Sequence, residues 1–180
     1  MKTIAIAFFA LLSFSLTSQI YVGVPSNYYE DLTLSKFAFK KFNDYRKSIN
    51  AGSWKWSDSS YTTAKRWNSA LAKDGLWGHS DAKLCSSEII VSVNIDATQP
   101  LNYEVIVDSC MLQILNSKYH RGGFTAPVRT SSQKYAEIEW GPITLSKTLC
   151  DSGAVSAYIL DYGHYKQVTI VIHTIVTLYK

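Results

Sequence analysis

The stretch that most limits what this chain can fold into is its last apolar run, Gln167 to Tyr179, QVTIVIHTIVTLY. It is rich in β-branched residues, whose stiff side chains favour an extended backbone. In a strand, alternate residues face opposite ways. Val168, Ile170, Ile172, Val176 and Leu178 then share one face, and Val171, Ile175 and Tyr179 the other. A strand apolar on both sides must be covered on both faces or paired on both edges. With Thr and His inside it, the run is also a poor membrane span, which needs about 20 apolar residues.

Other segments supply partners for such a strand. Ala154 to Leu160 is apolar on both sides. Ala136, Ile138 and Trp140 alternate with Glu137 and Glu139, a strand with one wet face. Ile89, Val91, Val93 and Ile95 alternate with polar Ser92 and Asn94, which predicts another strand.

Between them lie helical periods. Ala38, Phe42, Tyr45 and Ile49 recur at helical spacing, with Lys40, Lys41, Asp44 and Lys47 on the wet side. Ser35 is placed to cap this helix, which runs to about Asn50, and Gly52 to end it. Ser57 or Asp58 caps a second helix to about Asp74, with Tyr61, Ala64, Trp67 and Leu71 as its buried stripe and Gly75 as a left-handed stop. Pro100 suits the first turn of a third helix ending near Tyr119. Its inner face is Tyr103, Ile106, Val107, Cys110 and Ile114. Gly122 and Gly123 are expected to break the chain after His120 and Arg121, and a polar loop follows from Thr130 to Lys134. The order of helix, helix, strand, helix, then several strands predicts a mixed α+β layered domain.

At 180 residues the chain is long enough for one domain with its own core. A chain of this size buries roughly two thirds or more of its unfolded surface. The net charge of +4 is modest, and the basic residues are scattered, which argues against nucleic acid as a partner. Lys2, the apolar run from Ile4 to Leu12 with Phe14 and Leu16, and then Thr17, Ser18 and Gln19 have the layout of a secretory signal peptide. The expected division is a signal peptide over 1–18, an extended lead-in over 19–35 and a single domain over 36–180, with no transmembrane segment after signal removal. Secretion implies an oxidising compartment, in which two of Cys85, Cys110 and Cys150 pair and one is left over. The sequence does not choose among the three pairings, but Cys85 is the more plausible partner and Cys110 sits on an apolar helix face. A C-x-x-C metal motif and an N-x-[ST] sequon are both absent.

The candidate site is built around Trp67 to Ile90, where a helix stop is followed by His79 and Glu88 and then a strand. Two ionisable groups after a helix end are well placed to line a cleft, and the expectation is that His79, Glu88 and the distant His120 share it. Two imidazoles and a carboxylate suit Zn²⁺ with water in an open fourth place, and such a metal would activate the water. The bland alternative is that the three hydrogen-bond one another and merely fix the cleft. Ser80 and Ser86 flank the site without a G-x-S-x-G context and read as loop caps. His173, inside the β-branched strand, reads as a satisfied structural histidine, as does His164. Asn43 and Arg46 are placed to tether the cleft loops, and Arg121 reads as a helix-end salt bridge or an anion contact.

These residues resemble the CAP superfamily, also called SCP domains: cysteine-rich secretory proteins, antigen 5 and plant pathogenesis-related 1 proteins. FNDYR at Phe42 to Arg46 stands where that family carries H-N-x-x-R. WKWSDSSY from Trp54 follows, then Ala64, Trp67, Leu71 and Ala72 with His79-Ser80, in the order of the family's second helix and its H-S. Ser87-Glu88-Ile89-Ile90 stands in place of G-E-N-[IL]. NSKYHR, Asn116 to Arg121, resembles the S-P-x-H-R of bacterial-type members. The resemblance covers about residues 36–162. It implies a three-layer α-β-α sandwich around a central, mostly antiparallel sheet. It also implies a cavity lined by two His and two Glu, in which His79, Glu88 and His120 fill three places while the other Glu falls near Gln113. GHYKQV at Gly163 to Val168 offers His164 for the second His, but its separation from Glu88 favours His120. The activity implied is that of an extracellular module binding a lipid, a sterol or a protein partner. The alternative is a metal-assisted hydrolase or peptidase with His79, Glu88 and His120 as its catalytic set.

Overall fold

The computed structural model describes residues 20–80, 87–125, 139–140, 143–144 and 150–176. In chain order its elements are β1 (Ile20–Tyr21), β2 (Asn27–Glu30), α1 (Leu32–Ser48), β3 (Lys55–Trp56), α2 (Asp58–Asp74), β4 (Leu76–Trp77), β5 (Ser87–Asp96), α3 (Tyr103–Asn116), α4 (Lys118–Thr125), β6 (Glu139–Trp140), β7 (Ile143–Thr144), β8 (Cys150–Asp161) and β9 (Tyr165–Val176). The main sheet runs β2-β8-β9-β5, with β3 on the same edge of β8 as β2. All of its pairings are antiparallel except β3 with β8.

The strand that is apolar on both sides is thus paired on both edges, by β8 and β5. Its two faces are also both covered. Val168, Ile170 and Ile172, with Val155 and Ile159 of β8 and Ile89 and Val91 of β5, pack against Leu34, Ala38 and Phe42 of α1 and Ile106, Val107 and Ile114 of α3. On the opposite face Val171 and Ile90 meet Ala64 and Leu71 of α2. The chain is a three-layer α-β-α sandwich of the α+β class. Each fully buried Leu, Ile or Val contributes roughly 1.5–3 kcal/mol, so these two interfaces supply most of the stability. The α2 interface is the more polar of the two. Asn68 is fully buried there, and its amide donates to the carbonyls of Ser156 and Thr169 at 2.9 and 3.0 Å.

The second helix follows its local signals. Ser57 caps it by accepting the Ser60 N–H, and Gly75 ends it at φ 62°. That glycine also has a packing role. A Cβ there would lie 2.6 Å from the carbonyl carbon and oxygen of Gly23 and 2.8 Å from the nitrogen of Val24. Gly75→Ala is expected to destabilise the protein by about 1–3 kcal/mol, the scale of a left-handed non-glycine residue, read as a lower urea midpoint.

Elsewhere tertiary contacts override local expectations. The cap of α1 is Asp31, whose side chain accepts the Leu34 N–H at 2.8 Å. Ser35 lies inside the helix, fully buried: its hydroxyl donates to the Asp31 carbonyl and accepts the Ala157 N–H. A hydroxyl that ties helix to sheet looks, in sequence, like a cap. The helix also ends earlier than Gly52, with Asn50 at φ 59°. The segment expected to be a lead-in contributes β2 and the first turn of α1, so the folded unit begins ahead of residue 36. For α3 the cap is Asn102, and Pro100 lies outside the helix.

Gly122 and Gly123 do not break the chain: it breaks at Ser117 and resumes as α4, which runs through both glycines. What holds this glycine-bearing helix is Phe124, fully buried, with ring centroids 5.3 Å from Phe42, 5.6 Å from Trp54 and 5.9 Å from Tyr45. Packing of this kind outweighs the poor helix propensity of glycine, a cost of about 1 kcal/mol per residue.

Residues 1–18, expected to be a signal peptide, Thr130 to Lys134, expected to be a loop, Ala136 to Ile138 and the end of the last apolar run beyond Val176 lie outside the described residues. Of the expected strand at 136–140, Glu139–Trp140 is described, paired with Ile143–Thr144. Cys110 is a free, buried thiol, its pKa pushed up to about 12 by burial. Cys85 and the side chain of Cys150 lie outside the described residues, and the pairing question with them. Among the described residues no helix is long and apolar enough to cross a membrane.

Candidate functional site

The candidate site is assembled from three places in the chain. After Gly75, β4 pairs with β1, and the Trp67 indole N–H donates to the Gly78 carbonyl at 3.1 Å. This pins the chain immediately before His79. Glu88 is the second residue of β5 and lies directly across the ladder from His173 of β9. Facing residues in an antiparallel pair project to the same side of the sheet, so these two side chains meet. The third contribution is α4, which carries His120 until its ring centroid is 6.2 Å from that of His79.

Glu88 is the hub. Its Oε1 lies 2.9 Å from Nδ1 of His79 and accepts the Ser80 backbone N–H at 2.8 Å. Its Oε2 lies 2.7 Å from Nε2 of His173, whose Nδ1 is 3.0 Å from the Thr63 hydroxyl on α2. The side chains grade from surface to core: His79 is 58% exposed, Glu88 7% and His173 0%. Burial pushes the Glu88 carboxyl pKa up, but hydrogen bonds from His173, His79 and Ser80 outweigh it and hold the group at about 2. It is therefore an ionised acceptor at neutral pH, and the ring nitrogens facing it are N–H donors. For His120, burial and then the charge of His79 push the pKa down to about 4, so its imidazole is neutral.

The structure thus brings His79, Glu88 and His120 together. Among the described residues no group of three or more His, Cys, Asp or Glu is arranged to hold a metal ion. Nδ1 of His79 and both oxygens of Glu88 are committed to one another, to Ser80 and to His173, which leaves Nε2 of His79 without a partner among the described residues.

The supporting residues divide. Asn43 clamps the backbone of Trp54 from both sides, donating to its carbonyl at 3.0 Å and accepting its N–H at 2.8 Å. Arg46 is fully buried; it donates to the carbonyls of Gly52 at 3.0 Å and Ala51 at 3.1 Å and to that of Phe124 on α4. It also stacks over Trp54, 4.2 Å from the ring centroid. Both residues are tethers, and Arg46 fastens the helix that bears His120. Gln113 stays out of the cleft. It is exposed, and its amide donates to the Ser92 carbonyl at 2.8 Å, four residues along β5 from Glu88, about 13 Å at strand spacing. His164 is exposed at the β8–β9 turn, where Tyr165 pairs with Asp96 at the far end of β5 from Glu88. Arg121 makes no ion pair among the described residues, so the expected salt bridge is not found there. Ser80 is buried, and Ser86 lies outside the described residues.

The sequence reading missed the part played by His173 and Thr63. Their signal was faint: His173 shares the strand face of Val171, which α2 covers, but only the β5–β9 register reveals Glu88 opposite.

A scan of family models finds no match to this chain, and no curated protein matches it in sequence. Among solved structures, an outer surface protein from Borrelia burgdorferi is similar at a TM-score of 0.46, with 12% sequence identity over 83% of this chain and 98% of that chain. A likeness so distant transfers no property to this chain.

Proposed function

We propose that the chain is a divergent CAP-type secreted binding module, whose His79–His120 cleft receives a lipid or sterol, or a protein surface. The motif order around Trp54, Trp67, His79, Glu88 and His120 supports the family reading. The observation that carries the binding reading is the state of Glu88. An effective general base has a pKa near the working pH and an open oxygen facing the substrate. Glu88, with a pKa of about 2 and both oxygens taken by donors from His79, His173 and Ser80, has neither. It acts as a brace, and the groups left to meet a ligand are the exposed His79, the neutral His120 and the half-exposed Tyr119 beside it.

The experiment is binding of a fluorescent sterol and a fluorescent fatty acid to the mature chain and to His79→Ala and His120→Ala. Saturable binding weakened by both substitutions is the expected result. Failure with both probes removes the lipid reading and leaves protein partners. The competing reading is a metal-assisted hydrolase, and two imidazoles with centroids 6.2 Å apart are the observation in its favour. Tight zinc uptake, lost in both variants, would favour that reading instead.

A further inference from the structure

We infer that His173 and Thr63, from inside the protein, decide which ring nitrogen His79 offers to the cleft. The inference takes its meaning from reading the cleft as a binding site, but its geometry stands without that reading. His79 is exposed and sits on an irregular segment, where an imidazole has two tautomers open to it. Its orientation is set by one contact, Nδ1 to Oε1 of Glu88. A carboxylate on a strand can still turn about its own side-chain bonds, so that contact orients His79 only if Glu88 is itself held. The Ser80 N–H holds Oε1 at 2.8 Å from the same loop as His79, while the restraint from inside the protein is on Oε2, held by Nε2 of His173 at 2.7 Å, with the far side of that ring held by the Thr63 hydroxyl at 3.0 Å. His173 is fully buried between the sheet and α2, so the brace has no solvent path by which to relax.

The consequence is chemical. With Nδ1 donating to an ionised carboxylate, the proton of neutral His79 is on Nδ1 and Nε2 carries a lone pair. No group among the described residues takes that nitrogen. The cleft therefore presents a hydrogen-bond acceptor, beside a neutral His120, and the matching ligand feature is a hydroxyl or amine proton rather than a carboxylate or phosphate oxygen. His173 and Thr63 are positioning residues: they touch no ligand and act through Glu88.

The tautomer is read directly from ring nitrogen shifts in long-range proton–nitrogen spectra of the protein labelled at histidine. The spectra are taken at alkaline pH, where the neutral imidazole is the form compared. His164, exposed on its turn and touching only the Tyr165 ring edge-on, is the reference for a ring with no carboxylate beside it. The expected result is that His79 is almost wholly the Nδ1–H form in the unaltered protein. In His173→Phe it should drift to the mixture shown by His164. His173→Gln, whose amide nitrogen can stand where Nε2 stands, should restore it. A His79 that keeps its tautomer in His173→Phe with the remaining amide spectrum intact overturns the inference, as does a His79 that matches His164 from the start. Should His173→Phe not fold, Thr63→Val removes only the outer brace, and an unchanged His79 there overturns it equally. Failure of lipid capture would not alter this result, and a His79 indifferent to His173 would not alter lipid capture.

Discussion

Glu88→Ala is expected to destabilise the protein by about 3–5 kcal/mol at neutral pH, the cost of breaking a buried charged pair by removing one partner. The loss arises because His173, fully buried, keeps an N–H with nothing to receive it, and Ser80 and His79 lose the same acceptor. The measurement is the urea midpoint at constant slope. Glu88→Gln isolates the charge. The folded-state pKa of about 2 lies below the ordinary 4.5, so between these values the unfolded chain binds the extra proton. Stability from this group is therefore fully present above the ordinary value and is lost as pH falls through about 4.5 towards 2. The linked free energy is about 3 kcal/mol, at about 1.4 kcal/mol per unit. The difference in stability between the unaltered protein and Glu88→Gln should shrink over that window. A difference that stays constant from neutral pH to pH ~2 would mean that Glu88 is not held as the geometry requires.

The second large effect is expected at Phe124, one turn along α4 from His120. Phe124→Ala should cost about 3–5 kcal/mol, the range for truncating a buried aromatic. It removes the common contact of Phe42, Tyr45 and Trp54 and loosens α4 from α1. The loss should reach His120, which the same helix carries. Its pKa, held down to about 4 by burial and by His79, should rise towards the ordinary 6.5 as the ring gains water. Proton NMR titration of the histidine ring signals reads both values. Destabilisation without any movement of the His120 midpoint would show that the aromatic cluster stabilises the fold but does not place the imidazole.

Much of the fold was legible because its strongest signals are local and redundant. The run from Val168 to Ile175 is apolar on both sides, and no arrangement but a central strand satisfies it. Ser57 and Gly75 bound α2 by their own hydrogen-bonding and backbone preferences. What was illegible depends on partners distant in sequence. Ser35 could not be told from a cap without Ala157, 122 residues away. Gly122 and Gly123 read as a break because Phe124's burial among three aromatic rings leaves no periodic trace. Within the site, His79, Glu88 and His120 could be grouped by motif order. Which of their ring nitrogens and carboxylate oxygens are already engaged could not be read from residue types alone. His173, dismissed as structural, is structural and also wired to the cleft through a register the sequence does not print.

Arg46 joins Ala51, Gly52 and Phe124 in one grip, so α4 is tied to α1 as well as packed on α3 and β5. His120 therefore sits on a helix, whereas His79 and Glu88 belong to the sheet and its margin. Moving the two imidazoles apart would mean sliding a helix over the interlocked Ile and Val side chains, a shear that dense packing resists and permits only in small steps. The spacing of the two rings is thus governed by the same aliphatic contacts that keep the protein folded.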